Sequence, residues 1–187
     1  MKVMIRAILV VSAVLTGCQS VQHPPLAQVP KVDIARFMGD WYVIASIPTF
    51  IEEDAYNAVE SYRLASDGTI ETTFTFREGG FDGEPKTYTP RGFVLDRASN
   101  AVWGMQFIWP FKADYRIAYL TPDYSQTVIA RQKRDYVWIM AREPQITDSD
   151  YQTILQFIAG LGYDISQIRK VPHRWESAPG TASTASQ

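Results

Sequence analysis

The chain has 187 residues, with 18 Lys or Arg against 20 Asp or Glu and a formal net charge of −2. No basic surplus is available to neutralise phosphates, so nucleic acid is excluded as an expected partner. A hydrophobic content of 46% is ample for a core, and the high aromatic share of 13% calls for large apolar surfaces that still offer polar contacts.

The first predicted element is a signal peptide over residues 1–17. Lys2 and Arg6 form a basic start, Ala7–Leu15 is an apolar run too short to cross a bilayer, and Thr16 and Gly17 offer a cleavage point. Leu15-Thr16-Gly17-Cys18 resembles a bacterial lipobox. The resemblance implies that Cys18 is lipidated, becomes the new N-terminus and ties the protein to a membrane. Cys18 is the sole cysteine, so its acylation leaves no thiol for a disulfide, a nucleophile or a metal. Gln19 rather than Asp follows it. In lipoproteins of this kind, that implies lipid anchoring in the outer membrane of a Gram-negative bacterium, facing the periplasm. Removing the signal leaves about 170 residues, one domain, with a net charge of about −4.

Residues 18–32 contain Pro24, Pro25 and Pro30 and little periodicity, and read as the lipidated Cys and an extended tether. Fourteen residues, Gln19 to Val32, span at most about 45–50 Å. A domain is expected over 33–176, and the small polar residues of 177–187 read as a disordered tail. Within the domain, β-rich runs alternate with turn signals. They are Trp41–Ile47, Tyr56–Leu64, Thr69–Arg77, Lys86–Asp96, Ala101–Ile108, Asp114–Leu120, Gln126–Gln132 and Tyr136–Arg142. Eight short strands with short connections predict an all-β fold, an eight-stranded antiparallel up-and-down barrel, able to hold one small ligand. One α-helix follows. Thr147 is its N-cap, Asp150 completes a capping-box-like pair, Tyr151, Ile154, Leu155 and Ile158 form a single apolar stripe, and Gly160 and Gly162 end it. A helix with one stripe flanks the barrel from outside.

Phe37-Met38-Gly39-Asp40-Trp41-Tyr42 resembles the Gly-x-Trp signature of lipocalins, here preceded by a short helical turn over Asp33–Met38. Arg142 matches the arginine that ends the last barrel strand in that family. The resemblance implies that Trp41 plugs the closed end while the Arg142 guanidinium lies across its face, a contact that lysine does not reproduce. It spans roughly Asp33 to Pro172 and is closest to bacterial outer-membrane lipocalins. Leu120-Thr121-Pro122-Asp123-Tyr124 keeps the tyrosine of the family's second motif but has Thr121 where Asp is usual.

With Trp41 inward, strand parity and the family's register imply a calyx lining. Val43 and Ala45 come from the first strand, and Ala58, Glu60 and Tyr62 from the second. Ile70, Thr72, Phe74 and Phe76 follow, then Tyr88, then Trp103, Met105 and Phe107, then Tyr115, Ile117 and Tyr119. Thr127 and Ile129, and Tyr136, Trp138 and Met140, complete it. Phe50 and Ile51, in the first loop, are placed to touch ligand. The adjacent Glu52, Glu53 and Asp54 read as solvated. Glu60 is the one carboxylate in this set, and it is expected to accept hydrogen bonds from tyrosines or a ligand head group with a raised pKa. The lining implies a fatty acid, a lysophospholipid or a similar amphiphile, held for lipid storage, transport or repair at the envelope. No cofactor and no metal are expected, and relatives in this family can be homodimers. The same side chains also suit a filled barrel that works through its outer surface, which cavity volume distinguishes. His23 and His173 fall outside the strands, and no zinc, phosphate-loop or serine-hydrolase motif occurs, so a binding protein is expected rather than a calyx enzyme.

Overall fold

Runs rich in β-branched and aromatic residues, each bounded by Gly, Pro, Asp or Asn, cannot bury a face singly and do so here by closing one sheet on itself. The structure, a computed structural model, describes residues 23–175. The expected signal peptide, the lipidation of Cys18, residues 19–22 and the tail at 177–187 lie outside the described residues.

A single helical turn, α1 (Ile34–Phe37), precedes β1 (Gly39–Ile47), β2 (Ala55–Leu64), β3 (Ile70–Glu78), β4 (Glu84–Tyr88), β5 (Arg91–Val94), β6 (Val102–Ile108), β7 (Phe111–Leu120), β8 (Gln126–Ala130) and β9 (Val137–Ala141). Helix α2 (Asp148–Gly160) and the short β10 (Arg169–Lys170) follow. All pairings are antiparallel, mostly between sequence neighbours, and β1 pairs with β9 from Tyr42–Ala141 to Ile47–Val137 to close the barrel. β4 and β5 together form the fourth barrel strand, interrupted at Thr89-Pro90, where proline has no N–H to give the ladder. The expected eight-stranded barrel with one flanking helix is the observed fold.

Helix α2 begins as its sequence requires. Thr147 accepts the Asp150 amide at 3.1 Å, and Tyr151, Ile154 and Ile158 are its buried face. That face lies on the outer wall against Ile44, Ala118, Val128, Ala130, Ile139 and Ala141, a cluster separate from the barrel interior. β10 joins β1 at Ala45 and Ser46, beyond Tyr42–Val59, the last β1–β2 pair. Chain beyond β10 continues to Pro172 and Arg174, which bond to Asn57 of β2.

The extended tether expected over residues 18–32 is, in its described part, laid along the barrel. Residues 23–32 are extended, but they form a strap on the barrel. The Leu26 amide donates to Gln132 Oε1 at 2.9 Å, Val29 N to Ile117 O at 3.0 Å and Val32 N to Ser99 O at 2.7 Å. Leu26 and Val32 are buried. Apolar residues at 26, 29 and 32 recur every third position, the period of an extended polyproline-like chain with one contact face, and that is the signal the prolines obscure.

Candidate functional site

The barrel has two ends of different character. At the closed end, Trp41 is fully buried between Phe37, at a centroid distance of 5.0 Å, and the Arg142 guanidinium, 3.8 Å from its ring centre. Arg142 also donates to four carbonyls, those of Arg36, Phe37, Met38 and Asp40, at 2.7–3.1 Å. These are the orphan carbonyls of α1 and the turn into β1, so one planar fork caps a helix end and covers an aromatic face together. Gly39 has φ +95°, and a Cβ there would stand 3.4 Å from the guanidinium, which is why glycine precedes this strand. Tyr124 accepts the Asp33 amide at 2.9 Å and carries the Arg36 guanidinium 4.0 Å over its ring. Thr121 replaces the usual Asp without loss of the turn. Its hydroxyl accepts the amides of Ser125 and Gln126, both at 3.0 Å.

Packed against this plug, Trp103 stacks on Tyr115 at 5.3 Å, Tyr62 meets Trp103 edge-on, and both Trp103 and Tyr62 touch Phe37. The Tyr62 and Tyr115 hydroxyls share a 2.5 Å hydrogen bond. Register then assembles a polar ledge. Trp41 lies opposite Glu60, Glu60 opposite Phe74, and Tyr62 opposite Thr72, and directly opposed residues share a face. Glu60 therefore points inward, as expected. Its carboxyl is pushed up to about 7, chiefly by enclosure, with hydrogen bonding from Tyr62 opposing the rise and the Glu52 charge adding to it. Glu60 retains some accessible surface, and strand parity turns that surface toward the calyx, not bulk water. The Tyr62 and Tyr115 phenols are held far up by the same desolvation and by the Glu60 charge. Thr72 Oγ1 is buried without a hydrogen-bond partner among the described residues. On the neighbouring wall, Phe74 packs on Phe76 at 5.2 Å, and Phe76 stacks on Tyr88 at 6.2 Å.

Met105, Ile117 and Ile129 are buried in the same interior cluster as Trp103, and Trp138 and Tyr88 pack against it. Four expected lining residues are elsewhere. Tyr119 faces the outer wall, 5.2 Å from Phe157 of α2, because a register shift between Ile117 and Tyr119 reverses the parity of the rest of the strand. Ala45 is moved to the outer cluster by a similar shift after Val43. Tyr136 precedes β9 and packs with the outer cluster, under the Arg131 guanidinium at 5.1 Å. Phe107 lies within a shift between Met105 and Ile108 and is 52% exposed on the rim. In the first loop, Phe50 is 83% exposed and Ile51 is half-buried.

Glu52, expected in solvent, is the residue that reaches in. It is buried and accepts Thr49 N at 2.9 Å, Thr49 Oγ1 at 3.0 Å and Trp138 Nε1 at 3.1 Å. Burial raises its pKa against those three hydrogen bonds. The Thr49-x-x-Glu52 spacing, the reach of a capping box, is the local signal that singles it out from its acidic neighbours. His173 is on the outer wall, with Nε2 2.8 Å from Val43 O, and His23 is at the start of the strap.

A closed antiparallel barrel, plugged at one end by a Trp–Arg pair and lined beside the plug by aromatic rings around a polar ledge, defines a cup-shaped β-barrel of the calyx type. Comparison with known proteins makes the assignment specific. Residues 32–173 match the family model described as a lipocalin-like domain, and the chain belongs to that family. It is 31% identical over 166 residues to temperature-induced lipocalin-1 of Arabidopsis thaliana, covering 84% of this chain and 87% of the relative. It is 26% identical over 167 residues to the outer membrane lipoprotein Blc of Citrobacter freundii, covering 89% and 91%. Among solved structures it is similar in fold to insecticyanin of the tobacco hornworm Manduca sexta (TM-score 0.63, 13% identity, 80% of this chain and 85% of that one). The cockroach allergen Per a 4 gives a TM-score of 0.61 at 17% identity, covering 82% and 96%.

Proposed function

We propose that this protein is a lipid-anchored lipocalin of the Gram-negative outer membrane, facing the periplasm. In this reading it holds a fatty acid, a lysophospholipid or a similar amphiphile in its barrel, for lipid storage, transport or repair at the envelope. One observation carries the binding half of this reading. Next to the packed plug, the barrel interior gathers aromatic side chains around Glu60, Tyr62, Thr72 and Tyr115. The rings suit an acyl chain, and the ledge supplies the few polar groups that orient an amphiphile. Near neutral pH the Glu60 carboxyl is poised between acceptor and donor, so the ledge can meet a hydroxyl, an ammonium or a protonated acid. The anchoring half rests on the lipobox at Cys18 and on relatives named outer membrane lipoprotein. Neither described histidine reaches the calyx, which favours binding over catalysis.

A second reading, a filled barrel that works through its outer surface, draws on two outer-wall clefts. One of ≈ 250 Å³ lies between β1, α2 and β10, and another of ≈ 360 Å³ lies near Pro48 and Arg169. Native mass spectrometry of the mature protein with a panel of lipids separates the two. The calyx reading expects one fatty acid or lysophospholipid per barrel and a change in Trp fluorescence through Trp138. No retained lipid and no fluorescence change overturns it in favour of the outer surface.

A further inference from the structure

Five of the large apolar side chains left exposed among the described residues gather at the open end of the barrel. Trp109 is 82% exposed, Phe111 76% and Ile108 73%, with Phe107 beside them and Phe50 on the β1–β2 loop at the same end. Isolated exposed apolar residues need no explanation, but four of them on one hairpin tip do. The first four sit on or beside a tight hairpin, with Ile108 paired to Phe111 across Trp109-Pro110, so they are presented by backbone that is already ordered. Phe111 stands three residues beyond Asp114, about 10 Å further along the strand, so the tip projects past the wall.

The strap shows what this rim faces. It runs from Ser99 at the closed end, past Ile117, to Gln132 at the open end. There Gln132 Nε2 and Arg134 Nη2 both donate to Pro24 O at 3.0 Å. Gln132 N donates to Asp114 Oδ2 at 2.7 Å, which fixes that exit at the level of the upper part of β7. The described chain therefore begins, at His23, beside the same end that carries the aromatics. Five Cα steps separate His23 from Cys18, at most about 18 Å. An anchor at Cys18 thus holds the mouth toward the bilayer and close to it, where a long free tether would leave the barrel's orientation open. Lys112 and Lys133 are exposed on the adjoining strand and loop, suited to a surface that carries phosphates.

We propose that the open rim is a bilayer-docking face. Trp109, Phe111, Ile108, Phe107 and Phe50 enter the headgroup layer, and the N-terminal strap delivers the anchor to that same end. Tryptophan at the tip of an apolar projection is the residue type that settles at a membrane–water interface. The inference rests on the anchoring reading for the nearness of the membrane, but the rim's affinity for lipid is its own property.

Full-length protein, isolated and reconstituted in vesicles of phosphatidylethanolamine and phosphatidylglycerol carrying nitroxide-labelled lipid, tests it. Wild type is compared with Trp109→Phe, which removes the reporter, and with the double variant Ile108→Ser and Phe111→Ser, which removes the neighbours. Docking expects a quenched component present in wild type, absent in Trp109→Phe, and reduced about tenfold in the double variant when its affinity for added vesicles is measured. The mass of the N-terminal peptide reports acylation separately. An unacylated protein whose Trp109 is still quenched by added vesicles upholds docking while ending the anchoring reading. An acylated, membrane-retained protein whose Trp109 is unquenched overturns docking while leaving the anchor intact. Sedimentation showing a dimer that the double variant abolishes, with no quenching in wild type, also overturns it, because the rim then belongs to a second copy of this chain.

Discussion

The two ends of this barrel solve opposite problems with the same residue types. At the closed end every aromatic has a partner. Trp41 lies between Phe37 and Arg142, its indole N–H donates to Phe37 O at 2.9 Å, and the Arg142 fork meets four carbonyls. At the open end aromatics face outward, while Glu52 reaches inward from the first loop with its pKa raised by burial. Stability is concentrated where the chain begins its barrel. Unmet apolar demand is concentrated at the other end, where a membrane could satisfy it.

The largest expected effect breaks the comparison at the closed end. Trp41→Ala removes a fully buried indole and leaves Arg142 above a void, so urea unfolding should show a loss of about 3–5 kcal/mol. Phe111→Ser, an equally aromatic position on the rim, should shift stability in the same assay by less than about 0.5 kcal/mol. Similar losses for the two would mean that the ends are not mechanically distinct.

Next comes the ledge. The Glu60 carboxyl titrates at about 7 in the folded chain against an ordinary value of 4.5, so between those values the native state holds more protons than the unfolded one. Stability therefore falls as pH rises from about 4.5 through 7, by an amount on the order of 1–3 kcal/mol, and is flat in this respect below and above that window. Glu60→Gln keeps the hydrogen-bonding shape and removes the titration. Its thermal midpoint should lose most of that pH slope and exceed that of wild type at pH 8. An unchanged slope would show that another group governs it.

How far these features can be read from sequence depends on whether they are local. Gly39, Trp41 and Arg142 are legible because together they match the Gly-x-Trp and late-arginine motifs of the lipocalin family. Glu60 is legible because parity from Trp41 carries across a regular stretch of β2 and β3. Parity misplaces Tyr119, Ala45 and Phe107 because each lies at or beyond a register shift, and one added residue turns a strand over without leaving a mark in composition. It misplaces Tyr136 because that residue precedes its strand and is not part of it. The strap reads as an extended tether because prolines describe a backbone shape and not what it rests on. Leu26, Val29 and Val32 need the partners Gln132, Ile117 and Ser99, which are remote in sequence.

The smallest expected effect lies in the loop that covers the calyx. Glu52 is held by Thr49 and Trp138, and it in turn closes a turn in which Glu52 N donates to Thr49 O and Ala55 N to Glu52 O. Glu52→Ala removes three accepted bonds but also a buried charge, and these effects oppose each other, so global stability should change by no more than about 1 kcal/mol. The local consequence is larger. Without the carboxylate, the Thr49 amide loses its acceptor and the Trp138 indole loses its partner, so amide exchange at Thr49, Glu52 and Ala55 should accelerate while that of β9 does not. Removing the Glu52 charge also withdraws one cause of the raised Glu60 carboxyl, so the pH slope of stability should move to lower pH in the same variant. Hydrogen exchange resolved by residue, together with the pH series, separates these results. Loop exchange that stays slow would place the loop's hold in its apolar contacts, and a pH slope that stays fixed would show that Glu52 and Glu60 do not sense each other inside the barrel.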